Sequence, residues 1–195
     1  MSVRLEPGTL LLSAPNMQDT NFMHTVILMC QHDDDGAFGL VINSDLNRTI
    51  ADLFPVHPVL GSVELVVRTG GPVGLDTLQV LHCIPDEGPL SHSVDLGGVD
   101  LGGGLRIGAD LDEVARYVRD TPEPDRFVRF VVGYSGWGEG QLDAEIRLGS
   151  WLPLVGAHDL VFSEEEPEAV WRAAMGRLGG GGSALVHHPP DPSWN

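Results

Sequence analysis

The stretch with the most chemical potential is residues 133–145, Gly-Tyr-Ser-Gly-Trp-Gly-Glu-Gly-Gln-Leu-Asp-Ala-Glu. A serine between a strand pattern and a helix pattern stands where hydrolases hold a nucleophile on a strained turn. Here the G-x-S-x-G pattern fails at its last position, which is Trp137, and no spacing supplies Ser135 with a histidine base and an acid. No catalytic residue is assigned. Gly136 and Gly138 instead leave backbone amides uncovered ahead of a helix, a setting that suits an anion or a carbonyl oxygen. Gln141 and Glu145 lie four residues apart, so they share a helix face and present an amide and a carboxylate together. Gly70-Gly71-Pro72 is a second glycine turn, able to approach a ligand closely. The candidate ligand-binding set is therefore Gly70, Gly71, Gly136, Trp137, Gly138, Gln141 and Glu145. The competing reading is a tight strand-to-helix turn packed by Trp137, with Glu139 favoured by the helix dipole.

Other reactive residue types are weaker leads. Cys30-Gln31-His32 and His82-Cys83 would supply four soft ligands if their strands met, but adjacent strand residues point to opposite faces. His187-His188 lies in a Gly/Pro-rich tail, and Asp33-Asp34-Asp35-Gly36 lacks the spacing and closing Glu of a calcium loop. No metal site and no cofactor are implied. Arg116, Arg119, Arg126 and Arg129 interleave with Asp112, Glu113, Asp120, Glu123 and Asp125, the pattern of a salt-bridged surface. There is no Walker A pattern, no G-x-G-x-x-G and no helix-turn-helix.

The elements that position these residues are mostly strands. Residues 25–31 (TVILMCQ) and 37–43 (AFGLVIN) flank an Asp-Gly step, which predicts an antiparallel hairpin buried on both faces. Further strands are expected at 10–13, 64–68, 78–83, 105–108 and 127–134. Asp110 with Glu113 resembles a capping box, and Leu111, Val114, Ala115 and Val118 form one apolar stripe behind it. Asp112 and Arg116 are spaced for an i,i+4 pair on its wet side. A second helix is expected from about Ser163, with Glu166 at N3, to Arg177, and a third over 139–148. Residues 49–54 suggest a turn or short helix. Residues 1–178 make one domain of α/β (α+β) class, and 179–195 form a Gly/Pro-rich tail.

Composition sets the boundaries. The chain has 195 residues, enough for one compact domain, and 42% hydrophobic content, enough for a sizeable core. Its formal charge is −17, and every basic residue is Arg. Such a chain repels phosphate backbones and anionic lipid surfaces, so no direct nucleic-acid binding and no membrane association are expected. No apolar run approaches a membrane span, the opening residues do not form a signal h-region, and two cysteines make no disulfide framework. A cytoplasmic protein is expected.

Several segments together resemble one family. Pro7-Gly8-Thr9-Leu10-Leu11-Leu12-Ser13-Ala14-Pro15 with Met17-Gln18-Asp19 and Phe22 is similar to the opening of the YqgE/AlgH family. Residues 26–32 and 36–43, Gly70-Gly71-Pro72-Val73, residues 78–82, and residues 133–142 with Glu145 and Trp151-Leu152 resemble its later blocks, in order. Asp191-Pro192-Ser193-Trp194-Asn195 resembles its ending. The resemblance implies a single domain with a bifurcated, mostly antiparallel sheet forming a pseudo-barrel, with a few short helices outside. One branch of the family carries a transcriptional-regulator label tied to alginate production, and no catalytic residues are established to carry over. Ser135 departs toward a position often Ala in the family, and residues 91–104 are unusually Gly-rich. Two functions follow as expectations. The first is a non-enzymatic regulatory or interaction protein with an unknown protein partner. The alternative is a small-ligand site or enzyme built where residues 70–72 meet residues 133–145. Ligand, partner and oligomeric state are left open by the residues alone.

Overall fold

A computed structural model describes residues 5–83 and 96–178, so the expected tail at 179–195 lies outside the described residues. Strand β1 (Leu10–Ser13) leads into the hairpin of β2 (Val26–Asp33) and β3 (Gly36–Val41). The hairpin is antiparallel, Ile27 opposite Val41 and Asp33 opposite Gly36, with a bulge between Met29 and Gln31. The Asp33 side chain accepts from the Asp35 amide and rigidifies the turn. Alternation buries both faces of this layer. Leu10, Leu12, Val26 and Leu28 enter one core, while Leu11, Ile27 and Met29 enter another.

Strands β4 (Asp45–Thr49), β5 (Val66–Thr69), β6 (Val73–His82), β7 (Val99–Gly102), β8 (Leu105–Ile107), β9 (Val128–Gly138) and β10 (Trp151–Leu154) complete the sheet. The main path runs β10-β1-β2-β3-β9-β6-β8-β7. The organising strand is β9. Its segment from Phe130 to Val132 runs parallel to β5, its end from Ser135 to Gly138 runs antiparallel to β3, and β6 lies antiparallel to it. The sheet therefore forks at β9, as the family resemblance implies. Among the described residues it does not close: β10 and β7 stand at the two ends of the path.

Among the described residues four helices flank the sheet: α1 (Ile50–Leu53), α2 (Leu111–Asp120), α3 (Gln141–Arg147) and α4 (Pro167–Arg177). Asp110 caps α2 through the amides of Asp112 and Glu113. Glu113 does not close the box. It pairs with Arg116, taking the place expected for Asp112. A capping box forms instead at α1, between Thr49 and Asp52. Helix α4 begins four residues later than expected. Residues His158–Phe162 form a 3₁₀ turn, and Pro167 at the first helical position needs no amide partner. Strands β4, β7 and β10 were not expected. They are polar, glycine-containing or proline-containing, and Pro153 is tolerated because β10 is an edge. Among the described residues no helix is long and apolar enough to cross a membrane.

Candidate functional site

Strand β9 runs on through Gly138, so Gly136 and Gly138 are strand residues, facing Phe38 and Gly36 of β3. This corrects the expectation of free amides at a helix start. The turn into α3 is only Glu139-Gly140, with Gly140 left-handed at φ 66°. Gln141 bridges the turn by accepting the Gly138 amide at 3.1 Å.

Glu145, one turn further along α3, carries three hydrogen bonds on its two oxygens. Oε2 accepts from the indole N–H of Trp137 at 2.9 Å and from that of Trp151 at 2.8 Å. Oε1 accepts from the Gln141 side-chain amide at 2.9 Å. The two indoles meet edge to face at 5.8 Å, and Phe22 packs on Trp151 in the same way. Trp137 and Trp151 are buried, whereas Gln141 is exposed. The carboxylate thus ties α3 to β9 and β10, and its acceptor capacity is directed at protein donors.

Gly70 and Gly71 meet β9 at the fork. The Gly70 carbonyl accepts from the Val41 amide at 2.9 Å and from the buried Ser135 hydroxyl at 3.2 Å. A side chain on Gly70 would collide with the Gly133 carbonyl, and one on Gly71 (φ 147°) with that of Tyr134. Close backbone approach is what these glycines provide. The two glycine turns share β9, with Gly71 against Tyr134 and Ser135 and with Trp137 two residues beyond them. Among the described residues, surface clefts open around Cys83 and His158, around Arg68 and Arg129, and around Leu46 and Leu75, and these three are not lined by the seven candidate residues.

The interleaved charges predict Arg129 on a salt-bridged surface, and the structure buries it instead. Arg116, Arg119 and Arg126 do pair with Glu113, Asp120 and Glu123 on the surface. Arg129 is only 6% exposed. Its Nη2 donates to the carbonyls of Phe162 and Ser163, and its guanidinium lies over the Phe162 ring. Arg68 on β5 is nearly as buried and pairs with Asp45 through Nη1. Burial lowers both pKa values, and for Arg68 the charge of Arg129 lowers it further. The signal was present in the sequence: each arginine interrupts an apolar strand run, Val66-Val67-Arg68 and Val128-Arg129-Phe130. Cys30 is buried, and loss of solvation pushes its thiol up to about 12. Among the described residues no group of three or more His, Cys, Asp or Glu side chains is arranged to hold a metal.

A family model described as AlgH-like matches residues 10–182. The chain belongs to the AlgH-like family. Relatives called UPF0301 protein include one from Chlorobium limicola, 30% identical over 192 residues, covering 98% of this chain and 97% of that protein. Another, from Chlorobaculum tepidum, is 32% identical over 191 residues, covering 98% and 96%. The solution structure of AlgH from Pseudomonas aeruginosa is similar over 93% of each chain, with 28% identity and a TM-score of 0.66. A crystal structure of a Corynebacterium diphtheriae protein, 20% identical, shares the fold over 96% of this chain and 95% of its own, with a TM-score of 0.75. Both solved structures thus share the overall fold of this chain.

Proposed function

We propose that this AlgH-like protein is a non-enzymatic, cytoplasmic regulatory protein that acts through a protein partner, and that any effect on transcription runs through that partner rather than through DNA. The observation that carries the reading is the disposition of its arginines. Five exposed ones, Arg116, Arg119, Arg126, Arg172 and Arg177, each hold a carboxylate, Arg129 is buried in the sheet, and Arg68 is half-buried there against Asp45; Arg48, Arg106 and Arg147 are the other exposed arginines among the described residues. With a formal charge of −17, the exterior offers carboxylates to a partner and little unpaired cation to a phosphate backbone. A basic protein surface is the complementary chemistry. The commitment of Ser135 and Glu145 to internal hydrogen bonds also supports a non-catalytic role for residues 133–145. The test is affinity capture with the tagged chain at low salt, with and without nuclease. A protein retained through nuclease treatment and released at about 0.5 M salt, where the screening length falls to a few ångströms, is the expected result. Capture that disappears with nuclease overturns the proposal.

A further inference from the structure

His32 stands in a row of side chains that crosses the sheet beneath α3. It lies opposite Ala37 of β3, and Ala37 lies opposite Trp137 of β9. Residues directly opposite each other on paired strands project from the same face. Ala37 and Trp137 belong to the core that also takes in Leu5 and Leu142, so His32 sits at the edge of that core. Its side chain is only 7% exposed.

Each ring nitrogen has its own neighbour. Nδ1 accepts the backbone amide of Leu5 at 3.1 Å. A ring nitrogen that accepts carries no proton, so the neutral imidazole keeps its proton on Nε2. Nε2 faces Asp143 Oδ1 on α3 at 3.7 Å. That oxygen is buried and has no hydrogen-bond partner. The imidazole is thus held between two groups with opposite preferences. A second ring proton would answer the charge of Asp143, but it would also set one donor against another at the Leu5 amide.

Among the described residues, the groups that face the ring are these. Helix α3 presents Asp143 and, further along, Glu145, whose oxygens are occupied by Trp137, Trp151 and Gln141. Strands β3 and β9 present the uncharged Ala37 and Trp137. The N-terminal segment presents Leu5, and Glu6 beyond it is exposed. On β2 itself, Gln31 and Asp33 alternate to the other face and bond to each other.

We propose that His32 is a proton-operated latch on the N-terminal segment. A proton from solvent adds to Nδ1, the Leu5 hydrogen bond breaks, the imidazolium is held by Asp143, and Leu5 leaves the core while its amide turns to water. Histidine suits such a switch because its charge changes between about pH 5 and 8. The release is local. Three residues on, the Gly8 amide donates to the Met29 carbonyl at 2.8 Å, and the Met29 amide donates to the Thr9 carbonyl at 2.9 Å. These bonds do not involve the ring and keep the segment in place from Gly8 onward. The latch goes beyond the protein-partner reading and stands independently of it.

The test is backbone amide relaxation by NMR on the full chain, in steps from about pH 8 to about pH 5. The expected result is a Leu5 amide ordered at the upper end, with an order parameter of about 0.85, that falls below about 0.6 at the lower end. Gly8 and Met29 stay ordered throughout, which separates release from acid unfolding. His32→Gln supplies an acceptor that does not titrate, so Leu5 then keeps its order across the series. Asp143→Asn removes the charge that favours the imidazolium and moves the transition to lower pH by about one unit. An order parameter for Leu5 that does not change with pH in the parent overturns the proposal, as does the same loss of order in His32→Gln. Should His32→Gln fail to fold, Asp143→Asn decides, and a transition that stays where it was overturns the proposal.

Discussion

Glu145 joins two tryptophans from different strands to a helix, and its replacement separates two views of residues 133–145. Bonds from neutral donors to a charged acceptor contribute about 1.5–3 kcal/mol each, and unpaired buried indole N–H groups add their own cost. Glu145→Ala is therefore expected to destabilise by about 2–4 kcal/mol, and Trp137→Ala by about 3–5 kcal/mol. Gln141→Ala, at an exposed position, should cost under about 1 kcal/mol. Urea unfolding of the three variants measures this; a Glu145→Ala protein as stable as the parent would show that the carboxylate is held for a ligand. Cys30 gives a pH signature. An unfolded thiol loses its proton from about pH 8.5, whereas the native one holds it to about 12. The native state then binds more protons, so stability falls as pH rises through that window. Cys30→Ala should flatten the alkaline limb of a melt series, and an unchanged slope would contradict the burial. Glu145 was legible as a partner of Gln141 by spacing alone. Its tryptophan partners were not, because Trp151 arrives from a different strand.

At the scale of elements, β9 carries the design. Gly71→Ala puts a methyl group against the Tyr134 carbonyl at a backbone angle that L residues rarely adopt. A loss of at least about 2 kcal/mol, or failure to fold, is expected at such a site. A circular-dichroism melt unchanged from the parent would mean the fork tolerates a side chain there. For α2, Asp110→Ala should cost about 1 kcal/mol, while Glu113→Ala should stay within about 0.5 kcal/mol, because Asp110 alone holds the cap. The hairpin of β2 and β3 was legible since a local turn and two apolar runs specify it. The fork was not legible from periodicity, since β5 and β3 reach β9 from some sixty and one hundred residues away. Only the family resemblance pointed to it. The late start of α4 follows from Pro167, a signal present in the sequence but outweighed there by the Ser163–Glu166 pattern.

At the scale of the molecule, charge decides the class of partner. An excess of seventeen negative charges, with five surface arginines already neutralised by neighbouring carboxylates, sets a repulsive field toward nucleic acid. At about 0.15 M salt the field is screened beyond roughly 8 Å, so only short-range contacts would hold a duplex. The most direct measurement is a fluorescence-anisotropy titration of the full chain against a labelled mixed-sequence duplex, at about 0.15 M salt and again at about 0.05 M. The expected result is no saturable binding up to about 10 μM at either salt, well short of the non-specific affinities of true DNA-binding proteins in low salt. Sub-micromolar binding with a steep loss of affinity on adding salt would contradict it.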